Sequence, residues 1–300
     1  MGIGGRRRAI SPRLKAERFS RNRMETGQEI IYQGMPGAFS EAAIFSHWPN
    51  AQPKGLESFA DVVENLVAHP QTMGLLPIEN AYRGSVYDVL DLLGATSLKI
   101  WGEVVQPVHL ALMVPEGMEL ADVRRVWSHP QALMQSRSYW SRYHLVAEAQ
   151  LDTAGSAREV ARQRPAGVAA IASPRAADIY GLKILAQPVE DHPDNRTRFW
   201  LVSAQSIDVG CSNTAYGMKT SVLFDLPDVP GSLSKVLSAL AERNLNLSKV
   251  ETRPRPGKPF AYRFWIDVIG PEDSVQQVIQ DMALSLEWWR VLGTYPICSR

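Results

Sequence analysis

Gly167-Val168-Ala169-Ala170-Ile171-Ala172-Ser173-Pro174-Arg175-Ala176-Ala177-Asp178-Ile179-Tyr180 is the stretch whose reading decides the fold. An apolar run leads into a serine, then a proline, then a helical pattern. Serine is a strong helix cap, and proline suits the first helical turn. Outward from this unit the alternation recurs. Apolar runs lie at residues 30–33, 72–77, 104–114, 124–127, 167–171 and 198–202. Helical patterns lie between them, at 58–68, 85–93, 130–139, 153–162 and 174–180. Strand and helix in alternation predict α/β architecture with βαβ units and a largely parallel sheet. Such sheets bind ligands in crevices beyond the carboxyl ends of their strands.

Three helices are expected to begin at serines: Ser85 after Gly84, Ser128 after Trp127, and Ser173 before Pro174. Each serine has a bland reading as a cap alone. The sharper reading is a crevice on which helix N-termini converge, suited to a substrate with more than one carboxylate.

Around residues 203–218 periodicity fails and Ser, Asn, Gly and Asp dominate, the mark of a linker. Strand 219–226, helix 232–243, strands 247–252 and 260–269, helix 273–284 and strand 288–295 follow. That order is βαββαβ, the ferredoxin-like arrangement. The expected division is a basic extension (1–27), a first domain (28–205), a linker (206–217) and a second domain (218–300).

Apolar residues form 45% of the chain and charged residues 21%, ordinary for a globular protein with room for a cleft. No apolar run is long enough to span a membrane. Residues 1–25 hold eight Lys/Arg against two acids, a net of +6, so the remainder carries −5 of the total +1. A mildly acidic body argues against nucleic acid as a partner. The basic head reads as a tail, a targeting peptide, or the product of a start upstream of Met24. Two cysteines, Cys211 and Cys298, make neither a disulfide framework nor a zinc set, which fits a cytoplasmic setting. Import into an organelle is the alternative if the head is a transit peptide. His109, His129, His144 and His192 form no ligand-spaced set, so no metal is expected.

Several motifs now combine. Tyr32–Ala42 holds a Gly-Met-Pro-Gly turn, and Pro77-Ile78-Glu79-Asn80 is followed by Gly84-Ser85-Val86. Ser128-His129-Pro130-Gln131-Ala132-Leu133, Asp152-Thr153-Ala154, Ala170-Ile171-Ala172-Ser173 and Asn195-Arg196-Thr197-Arg198-Phe199 come next, in that order. The sequence resembles the prephenate dehydratase family from residue 30 to 295, and the tail resembles an ACT domain. Ala81 stands where the family has Ser or Thr, and Ser232 and Ser234 add polarity near the expected effector site. The resemblance implies a two-lobed binding-protein-like catalytic domain with its site between the lobes. It also implies allosteric control by phenylalanine and a homodimer or homotetramer.

The implied chemistry is loss of a ring carboxylate as CO2 and of a ring hydroxyl as water. It needs no metal, covalent nucleophile or redox cofactor. The resemblance places Thr197 at the leaving hydroxyl, where it would donate a hydrogen bond as charge develops. Otherwise Thr197 is a strand threonine chosen for β propensity. Arg198 suits a substrate carboxylate, but strand alternation turns 197 and 198 to opposite faces, so Arg198 alternatively braces the lobe interface. Asn80 offers an amide to substrate. Glu79 either orients the following turn or, in low dielectric near the hydroxyl, becomes a proton source. Ser128 and Gln135, seven apart, are expected on one helical face with Gln131 between them. Thr153, Ser173, Ser85 and Asn195 complete the expected substrate contacts, with a cap alone as the alternative for Thr153, Ser173 and Ser85. In the tail, Gly231, Ser232, Leu233, Asn246, Leu247 and Ser248 are the expected effector contacts, or plain turn chemistry. The competing functions are arogenate dehydratase, with an amino group for the keto oxygen, and a non-catalytic amino-acid-sensing binding protein.

Overall fold

The computed structural model describes residues 22–23, 27–208, 217–270 and 272–297. Most of the basic head and residues 209–216 of the expected linker lie outside the described residues.

The chain begins with β1 (Asn22–Arg23), β2 (Glu29–Gln33), α1 (Phe39–His47), β3 (Gln52–Leu56), α2 (Phe59–Ala68), β4 (Met73–Asn80), β5 (Gly84–Ser85), α3 (Tyr87–Gly94) and β6 (Lys99–Pro107). It then crosses to a second lobe: β7 (Ala111–Val114), β8 (Arg125–Ser128), α4 (Pro130–Gln135), α5 (Arg137–Arg142), β9 (Val146–Ala149), α6 (Thr153–Gln163), β10 (Val168–Ala172), α7 (Pro174–Tyr180) and β11 (Lys183–Ala186). It returns along β12 (Arg196–Ser203), and β13 (Ile207–Asp208) pairs with β1. The C-terminal domain is β14 (Met218–Asp225), α8 (Ser232–Glu242), β15 (Asn246–Pro254), β16 (Tyr262–Ile269), α9 (Glu272–Met282) and β17 (Trp288–Pro296). The expected βαββαβ order is present.

The lobe sheets run β3-β2-β4-β12-β6, with β5 paired to β4, and β11-β7-β10-β8-β9. They are mixed, where a largely parallel sheet was expected. β2 lies parallel to β3 and β4, but β12 is antiparallel to β4 and β6. In the second lobe β8 lies parallel to β9 and β10, while β7 is antiparallel to β10 and β11. The reversed strand of each lobe is the one by which the chain arrives from the other. The apolar run 104–114 is therefore two strands, split where the chain changes lobe.

Lobe one buries both faces of its sheet. Strand alternation in β12 sends Phe199 and Leu201 into the cluster around Ile30, Tyr32, Ile44 and Leu75. Trp200 and Val202 point the other way, among Val62, Leu66, Leu76, Val89 and Leu90. That second cluster continues into the C-terminal domain through Leu223, Trp265, Leu292 and Tyr295. Trp200 stacks on Trp265 at 6.0 Å between ring centroids and meets the edge of Tyr295 at 6.4 Å. The C-terminal domain thus shares a hydrophobic core with lobe one, behind the face that carries the cleft.

Candidate active site

Between the lobes lies a cleft of about 530 Å³. Thr197 of β12 and Asn80 of β4 line it, and they stand opposite each other in the antiparallel ladder. Asn80 Nδ2 donates to Thr197 Oγ1 at 3.1 Å, to Asn195 Oδ1 at 2.9 Å and to the Arg196 carbonyl at 3.1 Å. Its Oδ1 accepts from the Tyr82 N–H at 3.1 Å, which fixes the amide's orientation. Because Thr197 Oγ1 accepts here, its own proton is free to be donated into the cleft.

Three helices of the lobes aim their N-termini at this space. Phe39 and Ser40 of α1, Ser58 and Phe59 at the start of α2, and Thr153 and Ala154 of α6 all line the cleft. Ser58 caps α2 in a reciprocal box with Asp61, and Asp152 caps α6 by accepting from the Gly155 N–H. Each cap serves the third helical N–H and leaves the first two for a ligand. Among the described residues no lysine or arginine lines the cleft, and its carboxylates are Glu57 and Asp152. The groups this cleft offers to an anion are helix ends and amides. Gln135 lines the cleft with a buried Nε2 that has no hydrogen-bond partner among the described residues, a donor open to a ligand. His129 caps α4 by accepting from the Gln131 N–H at 3.2 Å. Burial, with Arg83 nearby, holds the imidazole below its ordinary pKa, against the pull of Asp152. Its neutral form is the one able to accept.

Of the expected contacts, Asn80, Gln131, Gln135, Thr153 and Thr197 meet in the cleft. The others stand elsewhere. Ser128 is the last residue of β8, so the helical spacing to Gln135 does not apply; its hydroxyl is buried and donates to the Ile171 carbonyl at 2.6 Å. Ser85 caps nothing: α3 starts at Tyr87, and Ser85 Oγ donates to Glu251 Oε2 and accepts from Lys249 Nζ, each at 2.6 Å. Ser173 does cap α7, and its hydroxyl proton goes to the Gly37 carbonyl at 2.6 Å, tying the lobes together. Asn195 is buried and orients Asn80. Glu79 and Arg198 pair with each other at 2.6 Å on the far face of the sheet, where alternation puts them. There they line a different cavity, between lobe one and the C-terminal domain. Arg198 therefore stands at the domain junction, where a substrate carboxylate or the lobe interface was the expectation.

The sequence reading missed the lobe latch. Glu41 Oε2 accepts from the Gly37 N–H and from Arg175 Nε, both at 2.8 Å, and Tyr180 donates to the Pro36 carbonyl at 2.8 Å. No local pattern announces a pair 134 residues apart. The Ser58–Asp61 box at the start of α2 was readable from its spacing.

The expected effector residues divide. Gly231 starts α8 with φ +83°, and Ser232 Oγ donates to the Val229 carbonyl at 3.0 Å. Leu233 packs on the domain core. Asn246 and Leu247 open β15 opposite Ile269 and Val268. Ser248 sits at a bulge and lines the junction cavity with Glu79 and Arg198.

Comparison with known proteins agrees with this architecture. The model of a family described as prephenate dehydratase matches residues 30–207, and that of the ACT domain matches 220–280. Arogenate dehydratase/prephenate dehydratase 2 of Arabidopsis thaliana is 37% identical over 279 residues, covering 89% of this chain and 72% of that protein. The structure of prephenate dehydratase from Arthrobacter aurescens in complex with L-Phe aligns with TM-score 0.81 at 29% identity, covering 90% of each chain. A structure described as GqqA, a novel type of quorum quenching acylases, also aligns with TM-score 0.81, at 31% identity, covering 90% of this chain and 98% of that one. With the family model spanning more than half its length and a two-lobed cleft joined to a βαββαβ domain, the chain belongs to the prephenate dehydratase family and carries a C-terminal ACT domain.

Proposed function

We propose that the chain converts prephenate to phenylpyruvate, with loss of CO2 and water, and that Thr197 serves the leaving hydroxyl. The observation that carries this reading is the Asn80–Thr197 hydrogen bond, which leaves the threonine proton free in a cleft framed by helix N-termini. The N-termini of α1, α2 and α6 and the Gln135 amide hold the two carboxylates. As the ring carboxylate leaves as CO2, its electron pair enters the ring and the hydroxyl departs at the opposite end. Thr197 donates to that oxygen as it gains charge, an interaction strongest in the transition state, and a solvent proton passed through its hydroxyl completes the departing water. The 31% identical structure is described as a quorum quenching acylase; Thr197 is not placed as a nucleophile for such chemistry, because its hydroxyl accepts from the Asn80 amide, which cannot take its proton.

Arogenate is the second reading. Its ammonium would suit the carboxylates of Glu57 and Asp152, and the Arabidopsis relative carries both activities in its name. Phenylalanine is the proposed effector, enclosed between ACT domains of a homodimer or homotetramer, and a cytoplasmic setting is the companion reading.

Thr197→Ala tests the assignment. Turnover falls about 10²–10³-fold while prephenate still binds, as loss of one preorganised donor does. Unchanged turnover overturns the role of Thr197.

A further inference from the structure

Thr197 and Arg198 are neighbours on one strand with opposite surroundings. Thr197 faces the cleft, and Arg198 faces the junction with the ACT domain. Between them and the rest of β12 the ladder to β4 is irregular. Thr197 pairs with Asn80 and Arg198 with Glu79, but Phe199 pairs with Pro77, so the register shifts directly beside the reacting pair. A bulge disrupts the ladder locally and re-aims the side chains beside it. The Arg198–Glu79 ion pair at 2.6 Å spans the strands there, beside the Asn80 hydrogen bonds to Thr197 and to the Arg196 carbonyl, while on its other edge β12 keeps register with β6.

Arg198 has a second carboxylate. Glu103 of β6 lies 3.4 Å from Arg198 Nε and is 2% exposed. Glu103 is held chiefly by Lys219, whose Nζ donates to its two oxygens at 2.6 and 2.8 Å. Lys219 is equally buried and belongs to β14 of the ACT domain. Trp200 Nε1 adds a contact to Glu103 at 3.3 Å. Lys249 of β15 stands 3.5 Å from Glu79. The two carboxylates behind the catalytic strands thus share three cations, two of them supplied by the other domain, where the buried Asp267 of β16 also draws on Lys219 and Lys249.

We propose that Lys219 is a positioning residue for the reaction. By neutralising Glu103 it leaves Arg198 to Glu79, and so keeps Thr197 in register with Asn80. This rests on the role proposed for Thr197. Without Lys219, Glu103 is a buried carboxylate with Arg198 as its remaining cation, and an unpaired buried charge takes whatever partner it can reach. Arg198 is drawn from Glu79 toward Glu103, across the bulge, and Thr197 moves with it. Small displacements of a positioned group cost large factors in rate.

The test compares kcat and KM of the full chain with those of Lys219→Met, Glu103→Gln/Lys219→Met, and Lys219→Met combined with Thr197→Ala. Lys219→Met lowers kcat about tenfold at nearly constant KM. The Glu103→Gln/Lys219→Met pair, which removes both buried charges together, recovers most of the loss. It also supplies a folded protein for comparison if the single variant is unstable. In the Thr197→Ala background Lys219→Met has little further effect, because the two act through one contact. The proposal is overturned by an unchanged kcat in Lys219→Met, by a double-neutral variant as slow as the single, or by a full tenfold loss added to Thr197→Ala. Failure of the Thr197 assignment looks different: Thr197→Ala alone then leaves turnover intact.

Discussion

Asn80 has two amide protons and three acceptors within reach, and its oxygen is committed to Tyr82. The amide therefore behaves as a fixed donor toward Thr197. Asn80→Asp keeps the shape and reverses this logic. A carboxylate accepts from Thr197, so the threonine proton turns away from the substrate. We expect kcat to fall about 10²–10³-fold, close to the loss in Thr197→Ala; steady-state rates within a few-fold of the parent contradict the arrangement. Gln135 is a different kind of residue. Its buried Nε2 lacks a partner until a ligand arrives, so Gln135→Leu should raise KM about tenfold or more, as loss of a hydrogen bond to a charged group does. A KM unchanged by that substitution would place the substrate elsewhere in the cleft.

Elements show why some of this was legible in sequence and some was not. The central strands β4, β10 and β12 announced themselves because burial demands apolar runs. β3, β9 and β11 were missed, and each is a sheet edge with a half-exposed surface that makes no such demand. The opposite faces of Thr197 and Arg198 followed from strand period alone. The misplacement of Ser128 came from extending α4 backwards into β8, and His129 takes the cap instead. The expected helix 130–139 is broken at Ser136, whose buried hydroxyl donates to the Ala132 carbonyl at 2.7 Å. Lobe contacts have no local signature, and Gly37 shows their weight. It holds φ +90°, and a Cβ there would lie 3.0 Å from the Cα and Cβ of Ala176 in α7. Gly37→Ala should cost about 1–3 kcal/mol in backbone strain alone. It should also raise KM by prising open a lobe contact at the cleft. A melting temperature and KM both equal to the parent's would show that the latch is slack.

At the scale of the molecule, the ACT domain is fused to lobe one by a shared core and by ions at its margin. Arg290 of β17 reaches the Leu93 and Gly94 carbonyls at the end of α3, where a cation complements the helix dipole. Asp267 of β16 sits at this junction, fully buried, and burial pushes its pKa up to about 6, with Lys219 opposing and Glu103 adding. Folding thus favours its protonated form. The associated stability is present at low pH and is lost as pH rises from about 4 through about 6. Asp267→Asn, which cannot ionise, should therefore gain melting temperature relative to the parent between pH 4 and pH 7. Parallel melting curves across that range would remove Asp267 from the account. Above all else, this cleft is assigned a decarboxylating dehydration of prephenate. Its most direct test is kcat/KM of the purified chain for prephenate and for L-arogenate, read as phenylpyruvate absorbance and as phenylalanine formed. Prephenate is expected to be turned over with the higher kcat/KM; turnover of neither substrate, or a higher kcat/KM for L-arogenate, overturns the assignment.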